Sequence, residues 1–388
     1  MVQSDGARVT RLRGGRVLGT ERAASVTTRR GIIQSLDSDE FEDFDDEVID
    51  IAGLMVAPGL IDLQVNGAYG SDFTTDPESI WVIGARLPEQ GVSAFLPTII
   101  TSPPEAIETA RAALAARPAD YRGAEPLGLH LEGPMLSPQR PGIHDPDLMR
   151  LPNLELVNGW TPEGGVAIVT MAPELAGSQA VIEALTEAGV VVSAGHSAAN
   201  LAEAEAGFEW GASAVTHLFN AMEPFDHRAP GLIGAVVRHE TAIAGIIADG
   251  LHSDPAVVMA AWKWLGPARL ALITDAMAAT GLGDGAYRLG SVEVTVTQGR
   301  VTDSTGRLAG STLTMDRAVR NLIDFARCSP DEAVTAGSSV PAGLLGASGR
   351  GHLAVGNRAD LVLFDDSMEV VATMVDGHFV YTREGWAT

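Results

Sequence analysis

The chain has 388 residues, 46% of them hydrophobic, enough for one large domain and a smaller companion with well-filled cores. Its 50 acidic residues against 26 basic ones leave a formal net charge of −24, which repels phosphate backbones and anionic lipid surfaces, so no nucleic-acid or membrane partner is expected. A single cysteine, Cys328, leaves no internal disulfide, and the N-terminal "MVQSDGARVTRLRGG" has no apolar signal core, so a cytoplasmic protein is expected.

Residues 1–57 read as short strands, "GRVLG", "GIIQSL" and "EVIDIAGLMVAPG", separated by turns. The acidic run "DSDEFEDFDDE" between them, Asp37 to Glu47, reads as a solvated loop. From Gly59 the pattern changes. Eight apolar runs follow: "LIDLQVN", "AFLPTII", "LGLHLEG", "VAIVTMAP", "VVVSAGH", "AVTHLFN", "IAGIIAD" and "LALITDA". Helical patterns such as "TSPPEAIETARAALAA" and "SAANLAEAEAGFEW" separate them. Short strands apolar on both faces and alternating with helices predict an α/β fold, a (β/α)8 TIM-like barrel over residues 58–351. A doubly wound open sheet is the alternative, but no glycine-rich dinucleotide fingerprint follows the first strand. A strand-turn-strand pattern, "YRLGSVEVTVTQGRVTD", interrupts the barrel after its last strand. Residues 352–388 return to short strands with Gly and Asp turns. The two end segments are each too small to fold alone, so they are expected to pair into one small β-sandwich domain formed by both chain ends.

Three of the apolar runs end in residues that prefer water or a partner: Glu132, His196 and His217. In a barrel of this kind the chemistry sits where strands end. Reading those ends in order adds Gln64 and Asn66 on the first strand and Asp275 on the eighth. One carboxylate and two imidazoles are a donor set for Zn²⁺ or Fe²⁺ that leaves positions open for water, and Asp275 is placed to take that water's proton. Taken singly, a buried histidine is more often a core residue and an aspartate at a strand end is often a helix cap; joint placement is what points to a site. His130 competes as a ligand but lies deeper in its strand than Glu132. His144 and His252 fall in loops after the third and seventh strands, as substrate contacts would. "FNAMEPFDHRAPG" offers Asn220, the backbone amide of Ala221 and Arg228 as an anion cradle. His227, His239, His352 and His378 read as surface or packing residues, and Cys328 as a small helix-buried hydrophobe.

The motifs "APGLIDLQVNG", "HLEGP", "GHS", "THLFNAM", "PGL", "IADGLH", "TDAM" and "LAGSTLTM", in this order, resemble those of the N-acetylglucosamine-6-phosphate deacetylase family of the amidohydrolase superfamily. The resemblance runs from about Ala57 to "GHLAVGNRADLVLFD". It implies a hydrolase that removes the acetyl group of N-acetyl-D-glucosamine 6-phosphate. By similarity, Glu132, His196 and His217 hold the metal, and Asp275 is the general base and later the acid. His144 lies near the sugar and acetyl carbonyl, Asn220 and Ala221 contact substrate, and Arg228 with His252 binds the phosphate. Leu308, Ala309 and Gly310 resemble the loop that closes over the sugar. The family also implies a homodimer in which part of the pocket comes from the neighbouring subunit. Where many amidohydrolases carry a His-x-His pair for a second metal, this chain has Gln64 and Asn66, and its only lysine, Lys263, is on a helix rather than at a strand end. One divalent metal ion per subunit is therefore expected, with Gln64 at most contacting its water. The rival readings are deacetylation of the galactosamine epimer, another amidohydrolase activity, or a catalytically silent binding barrel. Intact Glu132, His196, His217 and Asp275 speak against the last.

Overall fold

Eight parallel strands frame the chain: Leu60–Val65, Val92–Ile100, Leu129–Glu132, Val166–Met171, Val191–Ala194, Ala214–Val215, Ile243–Ile246 and Leu270–Leu272. The computed structural model describes residues 9–20, 23–36 and 47–386, so all of the acidic run but Glu47, which begins a strand, lies outside the described residues. The strands pair in chain order. First and last meet just beyond their ends, where Asp275 N donates to Gln64 O at 2.9 Å and Asn66 N to Ala276 O at 2.8 Å. Every residue of the first, second and fourth strands is buried, which is why these runs are apolar on both faces rather than alternating.

The outer helices include Pro104–Ala115 after the second strand, and Leu201–Glu209 after the fifth. The latter starts in a reciprocal cap: Asn200 accepts from the Glu203 backbone while the Glu203 side chain accepts from Asn200 N. The third unit departs from the expected alternation. Between Glu132 and Val166 there is no α-helix, only a 3-10 turn at Pro146–Leu148. Pro134, Pro138, Pro141, Pro146, Pro152 and Pro162 punctuate this stretch, and each removes a donor that an α-helix needs. The segment instead folds back across the barrel mouth, with Ser137 N donating to His196 O at 2.9 Å.

The insertion after the eighth strand is a three-stranded antiparallel sheet, Gly285–Leu289, Val292–Thr297 and Arg300–Asp303. Its apolar face, Leu289, Val294, Val296 and Val301, packs on Ile100, Met277 and Ala309 at the mouth.

The two chain ends meet in one eight-stranded sheet, with Met55–Pro58 antiparallel to Leu361–Phe364 at the seam. Alternation gives this seam two destinations. Met55, Ala57, Val362 and Phe364 join the barrel core, whereas Val56, Leu361 and Leu363 join a second cluster with Leu12, Val26, Ile33 and Met374. Both chain ends thus contribute to a single sheet, with the second cluster on the face turned away from the barrel core. A buried Arg350–Asp360 ion pair sits beside the seam, and Asp360 also accepts from Asp376 N at 2.8 Å.

Candidate active site

Glu132 is the last residue of its strand, and His196, His217 and Asp275 lie just past the ends of theirs. All three of the latter have left-handed backbones, with φ of 47°, 29° and 51°. A non-glycine residue held there costs about 1–3 kcal/mol, and surrounding bonds over-determine it: Leu218 N to Gly245 O at 2.7 Å, and Ser311 N to Asp275 O at 2.8 Å. The reversal turns each side chain inward at the barrel's mouth. Gly142, at φ +57°, permits the same closeness from the overlying loop, since a Cβ there would meet His196 Cε1 at 2.9 Å.

The ligand atoms converge. One atom each from Glu132, His196 and His217 lies within 4.8 Å of the others. Nε2 of His217 is 3.0 Å and Nε2 of His196 is 3.3 Å from the same Glu132 oxygen, and the two nitrogens are 3.2 Å apart. His196 Nδ1 faces the Arg140 carbonyl at 3.0 Å and therefore carries the hydrogen, leaving the Nε2 lone pair to face a carboxylate oxygen. Two basic nitrogens and a carboxylate around one point fit a divalent cation. Asp275 stands alongside, its Oδ1 accepting from Asn66 Nδ2 at 2.6 Å and Gln64 Nε2 at 3.2 Å. Gln64 Nε2 also donates to Glu132 at 3.0 Å, so this amide spans the two carboxylates and keeps both acceptor-only groups partnered.

Burial and charge separate the two acids. Burial pushes the Asp275 carboxyl up, and the Glu132 charge adds to it, to about 6. Burial also pushes Glu132 up, but its contacts with the His144, His196 and His217 rings outweigh it and hold the group well below the usual carboxylate range. Burial and the neighbouring His144 bring His196 down to about 4, whereas the bond to Glu132 raises His217 despite its burial. The triad thus keeps a carboxylate and at least one neutral imidazole at neutral pH.

The remaining expected residues divide. An open cavity of about 240 Å³ is lined by Asn66, Glu132, His144, His196, His217, Asn220, Ala221, His252, Asp275, Leu308 and Gly310 among others. His144 Nδ1 accepts from Thr101 N at 3.2 Å, so its hydrogen sits on Nε2, 3.6 Å from Glu132. Asp249 holds the His252 ring through Nδ1 at 2.6 Å. Ala309 is buried under the insertion and does not line the cavity; only its neighbours do. Arg228 is exposed and off the cavity wall of its own chain. His130 is no ligand: its nitrogens are taken by Leu63 O at 3.0 Å and Thr170 Oγ1 at 2.7 Å.

Two residues escaped the sequence reading. Asp62, whose carboxylate accepts from Thr274 Oγ1 at 2.6 Å, ties the first strand to the residue before Asp275; a charge inside "LIDLQVN" was the signal. Arg307 lines the cavity immediately before Leu308, and nothing in "STGRLAG" distinguishes it from a solvated loop arginine.

A parallel barrel with His, His and Glu converging beside a buried aspartate at its C-terminal mouth is the architecture of a metal-dependent barrel hydrolase. The amidohydrolase family model matches residues 55–380. The N-acetylglucosamine-6-phosphate deacetylase of Homo sapiens is 39% identical over 390 residues, covering 96% of this chain and 94% of that protein. The enzyme of the same name from Bacillus subtilis (strain 168) is 38% identical, covering 88% of each. Among solved structures, the N-acetylglucosamine-6-phosphate deacetylase from Pasteurella multocida aligns with a TM-score of 0.90 at 30% identity, over 97% of this chain and 100% of that one. A mutant of the Mycobacterium smegmatis enzyme, in complex with N-acetyl-D-glucosamine-6-phosphate, aligns with a TM-score of 0.87 at 33% identity, over 97% of this chain and 100% of that one. The chain belongs to the amidohydrolase family, in its N-acetylglucosamine-6-phosphate deacetylase branch.

Proposed function

We propose that this protein hydrolyses the acetamide of N-acetyl-D-glucosamine 6-phosphate to D-glucosamine 6-phosphate and acetate. The observation that carries the reading is the convergence of Glu132, His196 and His217 on one point with Asp275 beside it. These three side chains would hold one divalent metal ion per subunit, and their donor types suit Zn²⁺ or Fe²⁺. When bound, such an ion supplies Lewis acidity and a more acidic water. Asp275, with its Oδ1 fixed by Asn66 and Gln64, takes the proton of the attacking water and returns it to the departing amine nitrogen. His144 presents Nε2–H to the acetyl oxygen as negative charge develops there. Asn220, Ala221 and His252 position the sugar and its phosphate, and Leu308 and Gly310 cover it, with Ala309 packing beneath.

We infer a division into a barrel over 58–351 and a β unit over 1–57 with 352–388, a reading supported by the separate packing cluster of the end sheet. A homodimer is part of the same reading. Phe225 and Trp264, with rings 5.6 Å apart, and Leu251 are all exposed on the side of the barrel that carries Arg228. We infer that a second copy covers that apolar face, and by the family resemblance Arg228 would then serve the partner's cavity. Among the described residues no helix is long and apolar enough to cross a membrane, and a cytoplasmic location accords with the single cysteine.

The test is acetate release by metal-loaded protein from N-acetylglucosamine 6-phosphate, its galactosamine epimer and unphosphorylated N-acetylglucosamine. N-acetylglucosamine 6-phosphate should be preferred, and Asp275→Asn should lower kcat by several orders of magnitude while leaving metal content intact. No release from any of the three by metal-loaded protein, or near-normal turnover in the variant, would sink the reading.

A further inference from the structure

We propose that Arg307 binds the substrate's phosphate from within the same chain, a contact that rests on the deacetylase reading above and deepens it. A dianionic substrate approaching a protein of net charge −24 needs a local cation, and Glu132 and Asp275 make the cavity floor more hostile still. Among the described residues, Arg307 is the one guanidinium on the cavity wall; Arg228 is exposed and does not line it in its own subunit. An arginine stays charged at any working pH and offers its N–H groups in a planar fork that matches phosphate oxygens.

The surroundings of Arg307 prepare it for this role. Its Nε donates to Asp303 Oδ2 at 3.2 Å and Thr305 Oγ1 at 3.0 Å. Nη1 reaches over to Gly142 O at 3.1 Å, in the loop that covers His196. The stem is thereby fixed across the mouth, while Nη2 bonds to no described residue and remains for a ligand. Asp303 partly cancels the charge, but it engages Nε and not Nη2. The head is about half exposed, so solvent competes, and the contribution is expected to be one of binding and selectivity rather than bond cleavage.

The experiment compares kcat/KM for N-acetylglucosamine 6-phosphate with that for N-acetylglucosamine in wild type, Arg307→Met and Arg307→Lys. In wild type the ratio of the two should be large; if it is near one, the deacetylase reading itself loses its phosphate and this inference falls with it. Given a large wild-type ratio, Arg307→Met should lower it tenfold or more through KM for the phosphorylated sugar, and Arg307→Lys should restore part of it. A ratio unchanged in Arg307→Met, with both substrates slowed equally or not at all, would overturn the inference and leave Arg307 as a tie to the Gly142 loop. Thermal melting of the variants identifies any general loss of structure, and the ratio remains readable on whatever fraction folds.

Discussion

Gly142→Ala tests how far the overlying loop governs a candidate metal ligand. The added Cβ would stand 2.9 Å from His196 Cε1, closer than such carbons come to a neighbour, and 3.4 Å from Nδ1. The ring cannot simply swing away, because Nδ1 is tied to Arg140 O at 3.0 Å in the same loop. Relief must either rotate the imidazole, moving Nε2 off the point it shares with Glu132 and His217, or lift the loop and break the Arg307–Gly142 bond. The left-handed backbone alone costs about 1–2 kcal/mol with alanine. Disturbing the groups that orient a metal ligand typically costs a further 10- to 100-fold in affinity, about 1.4–2.7 kcal/mol. Gly159→Ala is the matched control: its φ is +79°, but no atom lies within 4 Å of its Cβ position. Urea unfolding of the metal-free proteins should show a similar loss for both variants. Chelator competition should show weakened metal binding only for Gly142→Ala. Equal metal affinity in the two variants would refute the idea that this glycine exists to let the loop rest on His196.

Removing the metal with a chelator should abolish acetate release and lower the melting temperature, with Zn²⁺ or Fe²⁺ restoring both; an active metal-free enzyme would contradict the proposed site. Asn66→Leu deprives the Asp275 carboxylate of a 2.6 Å bond, so kcat should fall about 10- to 100-fold with little change in KM, a split that steady-state kinetics reads directly. Burial pushes Asp62 up to about 7 from an ordinary 3.8, so the native state keeps a proton that the unfolded chain has released in between. Stability from this group therefore falls as pH rises through that window. In metal-free protein, Asp62→Asn should flatten the decline between pH 5 and 7 by roughly 2 kcal/mol in urea titrations; identical slopes would show that Asp62 ionises freely. Arg350→Met leaves Asp360 buried with weaker partners, and unfolding free energy should drop by about 2–4 kcal/mol, less than for a fully orphaned charge because Arg358 and the Asp376 amide remain.

Much of this protein was legible as a linear pattern because the physics that sets it is local. Strands buried on both faces, by helices outside and the packed barrel interior within, must be apolar throughout, so "VSAFLPTII" and "VAIVTM" announce themselves, and an alternation of such runs with helical patterns leaves few topologies besides the barrel. Polar residues at the ends of those runs, Glu132, His196, His217 and Asp275, stood out against the same background. The missing helix of the third unit was legible too, in its prolines, but a count of alternating units passes over it.

Other features depend on neighbours distant along the chain. Whether an imidazole such as His130 serves a metal or the core turns on which carbonyl or hydroxyl faces it, here Leu63 O and Thr170 Oγ1. That Arg307 reaches the cavity and Arg228 does not, within one subunit, depends on how a three-stranded insertion packs against the mouth. The left-handed turns at His196, His217 and Asp275 are held by bonds such as Leu218 N to Gly245 O and Ser311 N to Asp275 O, in a conformation uncommon outside glycine. The sequence by itself therefore determined the barrel, the pairing of the chain ends and the identity of the donor groups, since burial and period act within a few residues. Only the tertiary structure decided which side chains meet, because hydrogen bonds and charges act over a few ångströms whatever the separation along the chain.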